Sequence, residues 1–366
     1  MKGIIWRSSV CLAVVVSCVA AHAFQLSPIG TAAERREAKR WGMTIRAEIY
    51  VAENALHNFA DPVHETLTQL IYGCDGDWSD CEDPDLEWAG PYVIAGVRWN
   101  DDPVFQLKTG EARGLPCTVG DTISFVTQTR CWIELFRDAE KKSQLDPKYF
   151  LKPGAGSYLS RSHFGDLQFL HAMASIDGES PAETKEKLLM WAEFTWGVAQ
   201  GKYNLETPLR SISIPRWANH FANGQNVQDM LTLGRPWLRA HVREVAFGSL
   251  LHLVQDSFAE GHVQRQEPVF GQTCANNSSP AFGSIVEFHS YAKQDHDTHK
   301  EADSADSAQK HRRLIQPDVI AAGQKLRSLL NQPDSWQTAR EFLSDCVFRL
   351  DESATAASAG DAFAMQ

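Results

Sequence analysis

Apolar positions recur at helical spacing through much of the chain. In the segment opened by Pro236, WLRAHVREVAFGSLLHLVQDSFAEG, residues Leu238, Val242, Val245, Leu253 and Phe258 fall near one stripe, and the second half is apolar almost all round, as in a helix buried within a core. Asp61-Pro62 reads as an N-cap with proline at the first helical position, opening VHETLTQLIYG with His64 and Glu65 in its first turn. Ser180, Pro181 and Glu183 supply a cap, a first-turn proline and a capping box for an amphipathic run to Gly201. SRSHFGDLQFLHAMASIDG reads as a helix capped by Ser160 or Ser162 and stopped at Asp177-Gly178. Helix-forming composition over 34–56, and helical patterns over about 317–330 and 334–350, complete the set. With no internal repeat and no alternating strand series, the expected fold is mainly α, a multi-helix bundle.

The pattern lapses between Cys74 and about Tyr158, where Gly, Pro, Asp and Trp are frequent and four cysteines cluster. This segment is expected to be a long irregular insertion pinned by disulfides, and long loops in compact domains are usually functional. The Ala/Ser-rich residues 351–366 are expected to form a disordered tail. At the other end, Lys2 and Arg7 precede the apolar run CLAVVVSCVA and the small-residue site Ala21-His22-Ala23, the architecture of a signal peptide over 1–23 with Phe24 as the mature terminus. A second reading takes Val15-Val16-Ser17-Cys18 as a lipoprotein box, leaving a lipidated cysteine. No later segment approaches the roughly 18–20 apolar residues of a membrane span. The expectation is one helical domain over 24–350, secreted or periplasmic.

Cysteine usage suits that compartment. Beyond Cys11 and Cys18 the chain carries Cys74, Cys81, Cys117, Cys131, Cys274 and Cys346, an even set. Chain order suggests Cys74 with Cys81, Cys117 with Cys131 and Cys274 with Cys346. Six thiols are the alternative, and no pair has the C-x₂-C spacing of a zinc ribbon. The 366 residues are 43% hydrophobic and 22% charged, enough to bury a sizeable core. Net charge is −11, or −13 once Lys2 and Arg7 leave with the leader, which argues against an extended groove for a phosphate backbone.

Chemistry enters where the apolar run is broken. Residues 250–264, LLHLVQDSFAEGHVQ, place His252 and Asp256 four apart on one helical face, with His262 six further on, past Ala259 and Gly261, where a helix end can return its ring to the same point. One His–Asp pair in a core is ordinarily a hydrogen-bonded couple, but three such groups need a common compensation, which a divalent metal provides. QDHDTHKEAD repeats the four-residue spacing at His299 and Asp303; the neighbouring His289 and His296 face Lys293 and Lys300 at that spacing and are weaker candidates.

These residues resemble the zinc-dependent phospholipases C and the related single-strand nucleases. The His-x₃-Asp-x₅-His run and the following His-x₃-Asp carry the likeness at His252, Asp256, His262, His299 and Asp303; upstream, Trp99-Asn100-Asp101 and Ser162-His163-Phe164-Gly165-Asp166 match the family's Trp-x-Asp and Ser/Ala-His-aromatic-x-Asp, and His64 in PVHETLT matches an early histidine. The likeness spans about residues 60–303 and is closest to bacterial phospholipase C-like members. It implies a helical fold around two to three zinc ions (Zn2+), one held by Asp101, His163, His252 and Asp256, a second by His262, His299 and Asp303, and a third by His64 with Asp256 bridging. In many relatives the third ion also takes the α-amino group, commonly of tryptophan. Here the expected terminus is Phe24, forty residues from His64. The gap between Asp101 and His163 is also expanded, leaving Asp102 or Asp146 as alternatives to Asp101.

The resemblance implies a hydrolase that works by metal-activated water on a phosphodiester, with Asp101 orienting or deprotonating the water, or acting only as a ligand. Asp166 and His171 are expected to orient His163 rather than to ligate. A phospholipase C would cut phosphatidylcholine-like lipids at a membrane surface to diacylglycerol and a phosphorylated head group, and Trp78, Trp88, Tyr92, Trp99, Phe105 and Trp132 could serve bilayer contact or a choline-like cation. A single-strand nuclease or 3′-nucleotidase is the alternative. A non-enzymatic exported protein stabilised by zinc is the third reading, against which the cysteine-free ligand set speaks.

Overall fold

The computed structural model describes Arg36 and residues 62–365 apart from 83–85, 87, 153–154, 222–223 and 275–278. The signal peptide, the lipoprotein box, Phe24, the Asp61 cap and, save Arg36, the helix expected over 34–56 lie outside the described residues. The described chain is mainly helical. Its first helices are α1 (Val63–Ile71), α2 (Trp78–Cys81), α3 (Pro91–Val97), α4 (Thr129–Leu145) and α5 (Tyr158–Phe164), followed by a 3₁₀ turn at Gln168–His171. Then come α6 (Pro181–Ala199), α7 (Trp217–Phe221), α8 (Val227–Leu231), α9 (Pro236–Arg239) and α10 (Val242–Asp256). A two-stranded ribbon, β1 (Val263–Arg265) and β2 (Ile285–Phe288), pairs antiparallel with Val263 opposite Phe288 and a bulge after Gln264. The chain then forms α11 (His296–Ala302), α12 (Ala305–Leu314), α13 (Val319–Leu330) and α14 (Trp336–Phe342), whose last turn widens into a π turn at Leu343–Val347.

Helix α10 is the central element: every residue from Val245 to Asp256 is buried, as its all-round apolarity predicts. It packs against α6 on one side and α3 on another. The contact with α3 is possible only because glycines face each other there. A Cβ added at Gly96 would stand 2.0 Å from Val245 O, and one at Gly248 would stand 2.1 Å from Val93 O. The two backbones therefore touch, and the C-terminal end of α3 lies against the turn of α10 that carries His252.

An aromatic cluster surrounds this crossing. Trp99 stacks on Trp191 with ring centroids 5.5 Å apart, and Trp191 packs in turn on Phe194, Trp217 and Phe221. The Trp191 indole N–H donates to Ser249 Oγ (3.1 Å), Ser249 Oγ donates to Asn100 Oδ1 (2.6 Å), and Asn100 Nδ2 donates to Leu170 O (2.7 Å). One polar chain thus fixes α6, α10 and the loop after α3 to the segment before His171.

Several expected elements differ. Cys74–Tyr158 is not one irregular stretch: it contains α2, α3 and the 17-residue α4, whose Trp132, Phe136, Ala139 and Ser143 form a buried stripe at helical spacing. The expected helix over 160–178 is α5, capped by Ser157 rather than Ser160 or Ser162, and a separate 3₁₀ turn. It breaks at Gly165, where an added Cβ would meet Phe150 O at 2.4 Å. The long run from Pro236 breaks at Ala240-His241 without glycine or proline, where the His241 ring stacks on Tyr92 at 3.5 Å. Ser180 caps α6 as expected, accepting from the Glu183 N–H. The three disulfides pair as chain order suggests, Cys74–Cys81, Cys117–Cys131 and Cys274–Cys346. They accord with an oxidising compartment, and no described helix is long and apolar enough to cross a membrane.

The tail expected to be disordered is docked through residue 365. Ala357 N–H donates to Glu179 O (2.9 Å), Ser290 N–H to Ser358 O (2.7 Å) and Asp295 N–H to Phe363 O (2.6 Å), while Ala357, Ala359 and Phe363 are buried. Its small residues are what allow backbone to lie against backbone.

Replacing Gly248 with Ala should lower stability by at least about 1–3 kcal/mol, the range for overpacked cores, because the obstacle is backbone and cannot rotate away. An unchanged urea midpoint would refute the crossing. Removing residues 356–365 should cost about 2 kcal/mol or more, given burial of Phe363 and its neighbours, read from the same titration.

Candidate metal centre

Five segments bring the site together. Helix α1 contributes His64; the turn after α3, held by Trp99 and Asn100, contributes Asp101; α5 and the 3₁₀ turn contribute His163 and His171; α10 and the turn after it contribute His252, Asp256 and His262. Helix α11 adds His299, with Asp303 at its C-cap. All nine side chains are buried, and they form four groups of three with ligand atoms within 4.8 Å of one another: three that share members, His64, Asp101 and His252; Asp101, His163 and His171; and His171, His252 and Asp256; and a separate one, His262, His299 and Asp303.

Asp256 is the hub of the geometry. Its Oδ2 lies 2.8 Å from His252 Nε2, 2.9 Å from His171 Nδ1 and 3.7 Å from His262 Nδ1, and its Oδ1 lies 3.3 Å from His64 Nε2. Asp101 approaches His171 Nδ1 at 3.6 Å and His64 Nε2 at 3.8 Å. Asp303 Oδ2 sits 3.1 Å from His262 Nε2 and 2.9 Å from His299 Nε2. Such spacings match ligand atoms that share an ion at about 2.0–2.2 Å.

The ring orientations are set from behind. His252 Nδ1 is 2.7 Å from Val97 O, His163 Nδ1 is 2.9 Å from Leu159 O, and His262 Nδ1 is 2.8 Å from His171 O. A carbonyl only accepts, so each Nδ1 carries a proton, and a neutral ring then offers Nε2 as a lone pair. His64 Nδ1 is held by Gln255 Oε1 at 2.6 Å, while Gln255 Nε2 donates to Thr68 Oγ1. The His252 contact is the direct product of the glycine crossing, since Val97 ends α3. Gly261 serves His299 similarly: a Cβ there would lie 2.9 Å from His299 Nδ1.

Electrostatics favours cations. Burial pushes His252 down to about 3, and burial with the neighbouring His171 holds His163 well below the usual histidine range, so both are neutral rings. Burial also lowers His171, against the pull of Asp256. Burial, then Asp256 and Glu65, pushes Asp101 well above an ordinary carboxylate. For Asp256 burial acts upward too, but His252, His262 and His64 together carry it well below. His262 rises to about 9 because Asp303 and Asp256 overcome the effect of burial. The nearby arginines serve other acids, Arg98 with Glu65 at 3.4 Å and Arg235 with Asp102 at 3.1 Å. Both oxygens of Asp101, Oδ1 of Asp256 and of Asp303, Nε2 of His171 and Nδ1 of His299 are buried without a hydrogen-bond partner. Orphaned acceptors of this kind among three carboxylates fit divalent cations.

The eight residues expected from the sequence therefore converge, with differences. His171 does not orient His163 but faces Asp256 and Asp101 within the groups. Its only signal was a histidine five residues after Asp166, with no acid at helical spacing. Asp166 does not orient His163 either: it accepts from Arg161 Nε and Nη2, both at 2.7 Å, and from His220 Nδ1 at 2.8 Å. Asp102 accepts from Phe125 N–H and Arg235, and Asp146 is exposed at the end of α4. His163 groups with Asp101 and His171 rather than with His252 and Asp256. His289 binds Gly261 O, and His296 binds Glu140 at 2.6 Å; neither joins a group.

Comparison of the chain with protein-family models, with curated proteins and with solved structures finds no match.

A proton on His262 competes with a cation. In metal-free protein the raised pKa contributes stability that is complete below the ordinary value of 6.5 and is lost as pH rises through about 9. Uptake of a divalent cation at His262, His299 and Asp303 should release that proton, so affinity should weaken roughly tenfold per pH unit on descending from pH 9. Calorimetry in buffers of different ionisation enthalpy measures the release, and a pH-independent affinity would contradict it.

Proposed function

We propose that this protein is a zinc-dependent phosphodiesterase whose preferred substrates are phospholipids, cut on the glycerol side as by a phospholipase C. The observation that carries the reading is the convergence of His64, Asp101, His163, His171, His252 and Asp256 with the His262, His299 and Asp303 group around one buried carboxylate hub. Zinc ions held there would supply Lewis acidity to non-bridging phosphate oxygens and lower the pKa of water.

The chain's own groups have separable tasks. His163, His171 and His252, kept neutral by burial, present lone pairs as fixed ligands. Asp256 joins the two halves of the centre. Asp101 is the candidate to orient or deprotonate the attacking water: its side chain is 6% exposed, where Asp256 is fully buried, and its carboxylate has no protein hydrogen bond. Beside His163 lie Phe136, with ring centroids 5.1 Å away, and Trp132 stacked on it at 5.3 Å, both buried in the core. The net charge of −11 favours a lipid over a polyanion. Trp88 is the one tryptophan among the described residues that exposes about half its surface, while Trp99 and Phe105 are core.

Mature protein assayed on phosphatidylcholine vesicles and on single-stranded DNA, with and without chelator, tests both levels of the reading. Chelator-sensitive release of the phosphorylated head group is expected, and hydrolysis of DNA alone would overturn the lipid preference. His252→Ala and His299→Ala should each reduce turnover by about a hundredfold or more, with lower zinc content by elemental analysis. Unaltered rates in both would remove the metal centre from the mechanism.

A further inference from the structure

A second concave site lies behind the metal centre. Helices α4 and α5 are two-sided: Phe136 and His163 face the metal groups, whereas Leu135, Ala139 and Lys142 of α4 and Tyr158, Ser160 and Arg161 of α5 line a separate cleft of about 740 Å³. The 105–115 segment forms its other wall, and none of the nine metal-group residues borders it. Its volume falls in the range of small-molecule sites.

The lining combines an apolar floor with a cationic rim. Phe105, Leu107, Leu135, Ala139, Phe150 and Tyr158 supply the floor. Lys142 is neutralised by Asp138 at 2.6 Å, and Arg161 by Asp166. Lys108 and Arg113 are different: both are exposed at the cleft, and among the described residues neither side-chain cation forms an ion pair within 4.0 Å. The carboxylate of Glu111 accepts the Lys108 backbone N–H at 2.6 Å, which pins the segment presenting both cations. A surplus of positive charge above an apolar floor, on a chain of net charge −11, is a local inversion of the protein's own field.

We propose that this cleft binds an anionic amphiphile: a single alkyl chain on the floor with a phosphate or carboxylate head at Lys108 and Arg113. A cationic head would meet Lys108 and Arg113 against the single carboxylate of Glu111, a net positive rim, and a wholly apolar ligand would strip water from these charges without replacement. The cleft stands apart from the metal groups, so binding there does not require turnover.

Calorimetric titration of the full protein with decyl phosphate and with decanoate, below their micelle concentrations, tests the assignment; decyltrimethylammonium and decanol serve as comparisons. Decyl phosphate, decanoate or both should bind in a chelator-resistant manner, the tighter naming the head group, and Lys108→Glu with Arg113→Glu should weaken binding at least tenfold. Both positions are exposed, so an unchanged circular dichroism spectrum is expected. Leu135→Trp, which fills the floor, should weaken binding independently of charge. Failure of both anions to bind, equal binding of decanol or decyltrimethylammonium, loss of binding on chelation alone, or indifference to the double variant would each overturn the proposal.

Discussion

The backbone contact between α3 and α10 is the constraint on which the rest of the molecule depends. Two helices ordinarily stand 8–10 Å apart because side chains separate them. With Gly96 and Gly248 at the crossing, Val93 O and Val245 O occupy the space where Cβ atoms would be. That approach brings Val97 O to His252 Nδ1 and sends the chain into Trp99-Asn100-Asp101, whose members respectively fill the aromatic core, bridge Ser249 to Leu170 O, and enter the metal groups. Packing and chemistry are therefore one arrangement.

Such a site is expensive to form from the protein side. Three acids beyond those matched to Arg98 and Arg235, together with six imidazoles, are removed from water within one interior. Hydrogen bonds from behind satisfy one nitrogen of His64, His163, His252 and His262, and leave the opposite nitrogen facing the acids. An apolar core of similar size would be more stable without them. Their retention is the physical reason for assigning the interior a task beyond folding.

Much of this was legible in residue order. His-x₃-Asp at 252 and 256, and again at 299 and 303, follows from helical geometry alone, and the caps at Ser180 and the disulfide pairs are local signals with short reach. Other features depend on contacts that order along the chain does not reveal. The break at Ala240-His241 carries no glycine or proline to mark it, and the His241 ring there stacks on Tyr92, nearly 150 residues away in sequence. His171 has no acid at helical spacing; its partner Asp256 is 85 positions distant. The tail from 351 onward has the composition of a solvated segment, yet its small side chains let it lie against Glu179, Ser290 and Asp295. In α4 the signal was present, in Trp132, Phe136 and Ala139, but the surrounding Gly, Pro and Cys obscured it.

Asp256 touches His171 and His252 on one side and lies 3.7 Å from His262 on the other, so the groups share one charge. The same carboxylate that accepts from His171 also helps hold the proton of His262. A charge gained or lost in one group is therefore felt in the other, and the interior behaves as one electrostatic unit.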